Sequence, residues 1–196
     1  MNQIIKNTII LFVITLVAGI CLGTVHDITL DPIAQAQEAA ATKTYQEVYP
    51  DAASFDEPQE LADAVTAAAD SISEWGFGKV TINDAKEALD ASGNQIGYLI
   101  TSTSAESYGG NVQIAVGISN EGELTGIGFL SISDTPGLGM RAKEPDFKDQ
   151  FIGKKAENLE VTKTGASADN QIEAISGATI TSKAVTNATD AAIYFV

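Results

Sequence analysis

Apolar positions follow two different patterns along the chain. From Thr8 to Val25 the run TIILFVITLVAGICLGTV carries no charge. At about 1.5 Å rise per residue, and extended by Ile4 and Ile5, it can cross a hydrocarbon core of about 30 Å as one helix. Residues 1–26 therefore read as a short tip and a transmembrane helix. A cleaved signal peptide is the competing reading, because Ala34-Gln35-Ala36 has the small-x-small form that signal peptidases accept. Against it, the run exceeds the usual ~7–15-residue apolar stretch, and the alanines sit far beyond its end. Lys6 precedes the run while Asp27 and Asp31 follow it, so the positive-inside tendency puts the N-terminus in the cytoplasm. The expected location is the cytoplasmic (inner) membrane, crossed once, with the remainder of the chain on the outer or periplasmic side.

Beyond Gly76 the pattern changes to short β-branched and aromatic runs punctuated by Gly and Asn: 79–82, 96–103, 111–118 and 124–132. Such runs read as strands. Asn120-Glu121-Gly122-Glu123 between the last two is a hairpin signal, which makes them antiparallel neighbours. Phe147 and Phe151, four apart after Pro145, predict a short helix. From Ile180 to Val196, the residues Ile180, Ala184, Val185, Ala188, Ala192 and Phe195 share one side, which predicts a terminal amphipathic helix packed on the sheet. The fold class expected is α+β, with a central antiparallel sheet and flanking helices in residues 76–196.

Residues 27–75 differ from both neighbours. Between 27 and 74 there are eleven acids and one base, Lys43, so this segment reads as an acidic stalk and edge element. Leu61, Val65, Ala68 and Ile72 are spaced as on a helix. The Ala/Gln-rich opening, 32–42, is either a helical continuation or a spacer.

Charge and composition narrow the function. Eleven Lys+Arg against 26 Asp+Glu in 196 residues give a net charge of −15, which argues against a nucleic-acid binder. The apolar share of 44% is enough for a core. One cysteine, Cys21, and one histidine, His26, exclude an intrachain disulfide, a four-cysteine metal site and a Ser-His-Asp triad in the globular part. No metal site and no catalytic acid–base set is expected. Six of the eleven basic residues fall in 141–163, which suits an anionic ligand or an acidic partner surface.

The stretch most suggestive of chemistry is Glu173-Ala174-Ile175-Ser176-Gly177-Ala178-Thr179-Ile180-Thr181-Ser182. Small residues let backbone approach a ligand closely, and hydroxyls cluster where the terminal helix begins. Two readings of this stretch stay open on physics alone: a phosphate site at a helix start, and an ordinary Ser/Thr cap.

SGATITS closely resembles the flavinylation motif of the FMN-binding domains in the RnfG subunit of Rnf electron-transfer complexes and the NqrC subunit of sodium-pumping quinone reductases. In that family the motif runs Asp-x-x-Ser/Thr-Gly-Ala-Thr, and a separate flavin transferase esterifies the last threonine to the FMN phosphate. The corresponding residue is Thr179. Asp134-Thr135-Pro136-Gly137-Leu138-Gly139 resembles the family's Thr-Pro-Gly-Leu-Gly loop. The resemblance covers about 97–195 well, and its length and loops are closer to RnfG than to NqrC. Glu173 stands where the family usually has Asp, an acid thought to assist the transfer reaction.

What the resemblance implies is one covalent FMN on Thr179, in an FMN-binding domain spanning 76–196. Ser176, Gly177, Ala178 and the amides of Ile180, Thr181 and Ser182 would surround the phosphate. Thr135, Gly137, Leu138 and Gly139 would reach the flavin ring, with Arg141 and Lys143 nearby. Trp75, Tyr98 and Tyr108 are either stacking rings or core. The implied role is an electron-transfer subunit of a membrane-bound Rnf-type ferredoxin:NAD oxidoreductase coupled to Na⁺ or H⁺ translocation, not catalytic as an isolated chain. Its implied partners are a second flavin subunit, iron–sulfur subunits and the flavin transferase. The alternatives are an NqrC-like subunit of a Na⁺-translocating NADH:quinone reductase and a membrane-tethered binding module without flavin.

Overall fold

The computed structural model describes residues 2–155 and 158–196, in two compact units, Met1–Ala41 and Thr42–Val196. The described part of the first unit lies wholly in α1 (Asn2–Val48). Its apolar side chains from Ile4 to Ile33 are exposed, and with an 18-residue stretch of mean hydropathy 2.6 it is long and apolar enough to cross a membrane. The helix does not stop near His26 but runs to Val48. Of the two readings of 32–42, continuation is the one observed, as the Ala and Gln there favour helix.

Most of the segment expected as a stalk belongs to the second unit. β1 (Ser54–Asp56) pairs with β2 (Val80–Leu89), and α2 (Gln59–Ser71) presents Leu61 and Val65 to the core. β3 (Gln95–Ser107), β4 (Gly110–Ser119) and β5 (Leu124–Ile132) complete an antiparallel meander in the order β1-β2-β3-β4-β5. The 120–123 turn closes β4–β5 as expected, with Gly122 at φ 74°. After β5 come a 3-10 turn at Gly139–Lys143, α3 (Pro145–Lys148) and a second 3-10 turn at Asp149–Phe151. The rings of Phe147 and Phe151 meet edge to face at 5.6 Å. β6 (Glu160–Thr162) and β7 (Gln171–Glu173) form a small parallel pair, and α4 (Thr179–Phe195) ends the fold.

The sheet is covered on both faces, which is why its central strands read as continuous apolar runs and not as alternation. On one face Ile100, Ile114 and Val116 meet Ala184, Val185, Ala188 and Ala192 of α4. The alanines bring the helix close enough for the buried Ser102 hydroxyl to donate to the Ala188 carbonyl at 2.9 Å. On the other face, Leu99 and Ala115 pack against Val48, with Tyr45 beside them. Glycine makes this approach possible: a Cβ on Gly128 would run into Thr44 and lie 2.6 Å from Val48 Cγ2. The Thr125 hydroxyl donates to the Val48 carbonyl at 2.8 Å and the Tyr49 hydroxyl to the Ile96 carbonyl at 2.7 Å, which ties the end of α1 to the sheet.

This packing sets two expectations for stability. Gly128→Val should lower unfolding stability by about 1–3 kcal/mol, as overpacking does, read by denaturant unfolding of the detergent-solubilised chain. Asp190, buried in α4 with its carboxylate accepting the Leu159 amide at 2.8 Å, has its pKa pushed by burial up to about 7. The folded state then holds a proton that the unfolded state releases. The stabilisation is present below the ordinary carboxylate range and is lost as pH rises toward 7, with a slope of up to about 1.4 kcal/mol per pH unit. Asp190→Asn should flatten that slope in unfolding curves taken from pH 4 to 8.

Candidate functional site

The start of α4 and the loop after β5 meet around a cavity of about 490 Å³. Its wall is formed by Tyr108, Asp134, Thr135, Leu138 and Gly139 from the sheet side, and by Gly177, Ala178, Thr179, Ile180 and Thr181 from the helix side. The two motifs, some forty residues apart in sequence, thus share one concavity. A volume in this range suits a small organic ligand.

Each wall has a local cause. The loop folds back on itself through the Leu138 and Met140 amides, which donate to the Thr135 carbonyl at 3.1 and 3.2 Å, while Gly137 takes φ 75°. Gly177 also adopts a positive φ, 78°, and a Cβ there would stand 3.2 Å from Leu138 Cδ2. Leu138 therefore reaches over the glycine, and the two motifs touch. On the helix side, Ala178 precedes α4 without a side-chain cap. The amides of Thr179, Ile180 and Thr181 have no hydrogen-bond acceptor among the described residues. Unpaired amides at a helix start favour an anion. The Thr179 side chain is half-exposed, and its hydroxyl also lacks a partner among the described residues.

Asp134 ties the walls together. The residue is 7% exposed, and its carboxylate accepts the Ser107 hydroxyl at 2.5 Å, the Thr181 hydroxyl at 2.7 Å and the Thr135 amide at 3.0 Å, with the Gly109 amide as a further donor. Burial alone pushes its pKa up, but these hydrogen bonds outweigh burial and hold it below the ordinary carboxylate range. Gly139 is pressed against it, since a Cβ there would overlap the carboxylate. In the sequence Asp134 stands out only as the first residue of its motif, with no role of its own. The available signal was an acid placed directly before a Thr-Pro-Gly turn, where it can accept the next amide.

Other expected positions lie apart from the cavity. The Ser182 amide donates to the Ala178 carbonyl at 3.0 Å, and its buried hydroxyl bridges the Ile175 amide and the Ala178 carbonyl. Ser182 is thus committed to starting the helix and has no amide left for a phosphate. Ser176 and Gly137 are exposed and absent from the wall. Glu173 is exposed on β7, its backbone bonded to the Gln150 side chain at 2.7 and 3.3 Å. Arg141 pairs with Glu144 at 3.2 Å, and Lys143 is exposed; neither forms the wall. Trp75 stacks near Tyr194 at 4.9 Å, and Tyr98 is half-buried against the core, whereas Tyr108, 73% exposed, stands at the cavity.

Comparison with known proteins gives the family context. The family described as FMN-binding domain matches residues 107–194, and that described as RnfG N-terminal region matches 1–48. The corresponding subunit of the Na⁺-translocating ferredoxin:NAD⁺ oxidoreductase complex of Acetobacterium woodii is 36% identical over 97% of this chain and 90% of its own length. Its counterpart in the ion-translocating oxidoreductase complex of Methanosarcina acetivorans is 31% identical over 100% and 95%. That of the proton-translocating ferredoxin:NAD⁺ oxidoreductase complex of Clostridium ljungdahlii is 29% identical over 98% and 91%.

Thr181→Val should remove a hydrogen bond to a charged, buried acceptor and cost about 1.5–3 kcal/mol at neutral pH. Because the Asp134 pKa is depressed, that contribution is present above the unfolded carboxylate value. It fades as pH falls through the folded one. Denaturant unfolding of variant and wild type should therefore differ at pH 7 and converge only as pH falls below the ordinary carboxylate range.

Proposed function

Because the chain belongs to the RnfG family, whose members are subunits of ion-translocating oxidoreductase complexes, and has an FMN-binding domain, we propose that Thr179 is the residue that carries its FMN, joined through a phosphoester. The chain is an electron-transfer subunit of a membrane-bound complex and works with the other subunits of that complex. The observation that supports Thr179 is its place: an unpartnered hydroxyl at the start of α4, opening into the cavity that both motifs wall.

The residues present fit the group. The free amides of Ile180 and Thr181 next to Thr179 provide hydrogen bonds and the positive end of the helix dipole for a phosphate diester. Leu138, Ile180 and Tyr108, all exposed at the cavity, offer apolar surface for a flat ring. Gly139 and Gly177 keep the wall thin. Bound FMN supplies the capacity to take up and pass on one or two electrons. What this chain contributes is a fixed attachment point, an orientation set by the 135–139 loop, and an open side through which a neighbouring redox centre can approach. No proton-transferring group is required of it.

Covalent attachment has a physical sense if the globular unit faces outward, as the charges flanking the apolar run favour. A diester on Thr179 keeps the cofactor where no FMN pool would replace it. A flavin transferase makes the attachment, and the exposed carboxylate of Glu173, in the place of the motif's Asp, is accessible to that enzyme. Held on Thr179, FMN would supply one- and two-electron redox chemistry for exchange with a second flavin subunit or an iron–sulfur subunit, on a route between ferredoxin and NAD coupled to Na⁺ or H⁺. The relatives' names give one ion each, so the ion is not a property of the shared fold.

The test is the intact mass of the chain coexpressed with a flavin transferase. An increase equal to FMN minus water, mapped to the peptide holding Thr179, is expected. Thr179→Val should fold with unchanged stability, since only a hydroxyl is exchanged for a methyl, and should show no added mass. An unmodified wild-type chain beside an active transferase would instead favour a tethered binding module in which this stretch is a helix start alone.

A further inference from the structure

We propose that Asp134 places a fixed negative charge on the wall of the FMN cavity and thereby holds the reduction potential of the bound flavin low. This rests on the reading of the cavity as the FMN site. Four groups contact the carboxylate, and all of them donate: the hydroxyls of Ser107 and Thr181 to Oδ2, the Thr135 amide to Oδ1, and the Gly109 amide. The two amides can only donate and the two hydroxyls are turned to donate, an arrangement that stabilises the ionised carboxylate over its neutral form. No ion pair reaches it among the described residues, and the nearby Arg141 is engaged by Glu144. Among the described residues its charge is balanced by dipoles alone.

The order of residues along the chain points the other way. Arg141 and Lys143, directly after the loop, suggest a positive surrounding that would favour an anionic reduced flavin. Neither lines the cavity, whereas Asp134 does. An uncompensated carboxylate beside a partly enclosed ring disfavours the electron density that reduction adds, because the repulsion is less screened there than in bulk water. The helix start next to it acts on the phosphate end, while the carboxylate acts on whatever part of the ring lies against Gly139.

The experiment is a dithionite titration, with a reference dye, of full-length flavinylated protein in detergent, comparing wild type with Asp134→Asn. The variant keeps the shape and the acceptor for the Thr135 amide. The Ser107 and Thr181 hydroxyls, both on the same oxygen, can rotate to accept from the new amide. An upward shift of the midpoint potential is expected. Ser107→Ala, which disturbs the same cluster but retains the charge, should leave the midpoint at neutral pH close to wild type. An unchanged or lower midpoint in Asp134→Asn, or an equal shift in Ser107→Ala at pH 7, would overturn the proposal. Should Asp134→Asn take up no FMN, the pH dependence of Ser107→Ala decides. Having lost a donor, its carboxylate protonates at a higher pH, so on acidification its potential should rise above the wild-type curve earlier. Superimposable curves would sink the idea. Wild-type protein that carries no FMN overturns the assignment of the cofactor to Thr179 and this proposal with it, whereas flavinylated protein with an unmoved potential overturns this proposal alone.

Discussion

The carboxylate of Asp134 is the constraint on which the site depends. It stands at the end of β5, accepts from Ser107 at the end of β3 and from the next turn, and holds Thr181 in the first turn of α4. Chain segments far apart in sequence are thereby fixed within one hydrogen-bond shell, and the cavity is the space that this fixing leaves. Burying a carboxylate is costly unless its lone pairs are satisfied. Four donors meet that condition, and the arrangement tolerates little change, because any group that moves away leaves the charge under-solvated.

The rest of α4 is held in the same manner, by polar contacts set within an alanine-lined interface. Ser102 bonds the Ala188 carbonyl midway along, and Asp190 accepts the Leu159 amide near the far end. Alanine and serine at the contact allow the helix to lie close to β3, and close approach is what brings these short side chains into bonding range. A helix fixed at its beginning, middle and end cannot slide. For an electron carrier this matters, since a cofactor attached at its first residue, as proposed, would be held at one position relative to the sheet, and the distance to a docked partner would be set by the surface.

Much of this was legible from the chain. The strands β3, β4 and β5, the 120–123 turn and the terminal helix carried strong local signals, and the structure has each within a few residues. β2 extends to Leu89 although only 79–82 read as a strand, because the register shifts after Ile82 at Asn83 and the alternation that marks a strand breaks there. Its second half, Asn83 to Leu89, is rich in Asp, Lys, Glu and Ala, and is strand only because β1 and β3 pair with it on either side. β6 and β7 are three residues each, too short to have a period. At the site, small residues and hydroxyls marked the helix start, but hydroxyls of the same kind do different work: Thr179 has no partner among the described residues, Thr181 bonds Asp134 and Ser182 is spent on the helix itself. Only tertiary contacts separate these roles.

The apolar helix and the redox unit divide the labour of the subunit. Between Thr8 and Val25 the chain has no charged residue, and the hydroxyls of Thr8, Thr15 and Thr24 donate to carbonyls four residues earlier. An ion crossing a hydrocarbon layer needs oxygen ligands or charges that are not already used, and groups of that kind within a membrane mark ion pathways. This span has its polar groups paired within its own helix, as an anchor requires. Among the described residues this span thus has the composition of an anchor and lacks the free charges that mark an ion pathway. On the proposed assignment, each electron taken up in the cavity beside Asp134 would add negative charge at a site the fold keeps fixed, and that change of field is what this chain could impose on ion movement elsewhere in the complex.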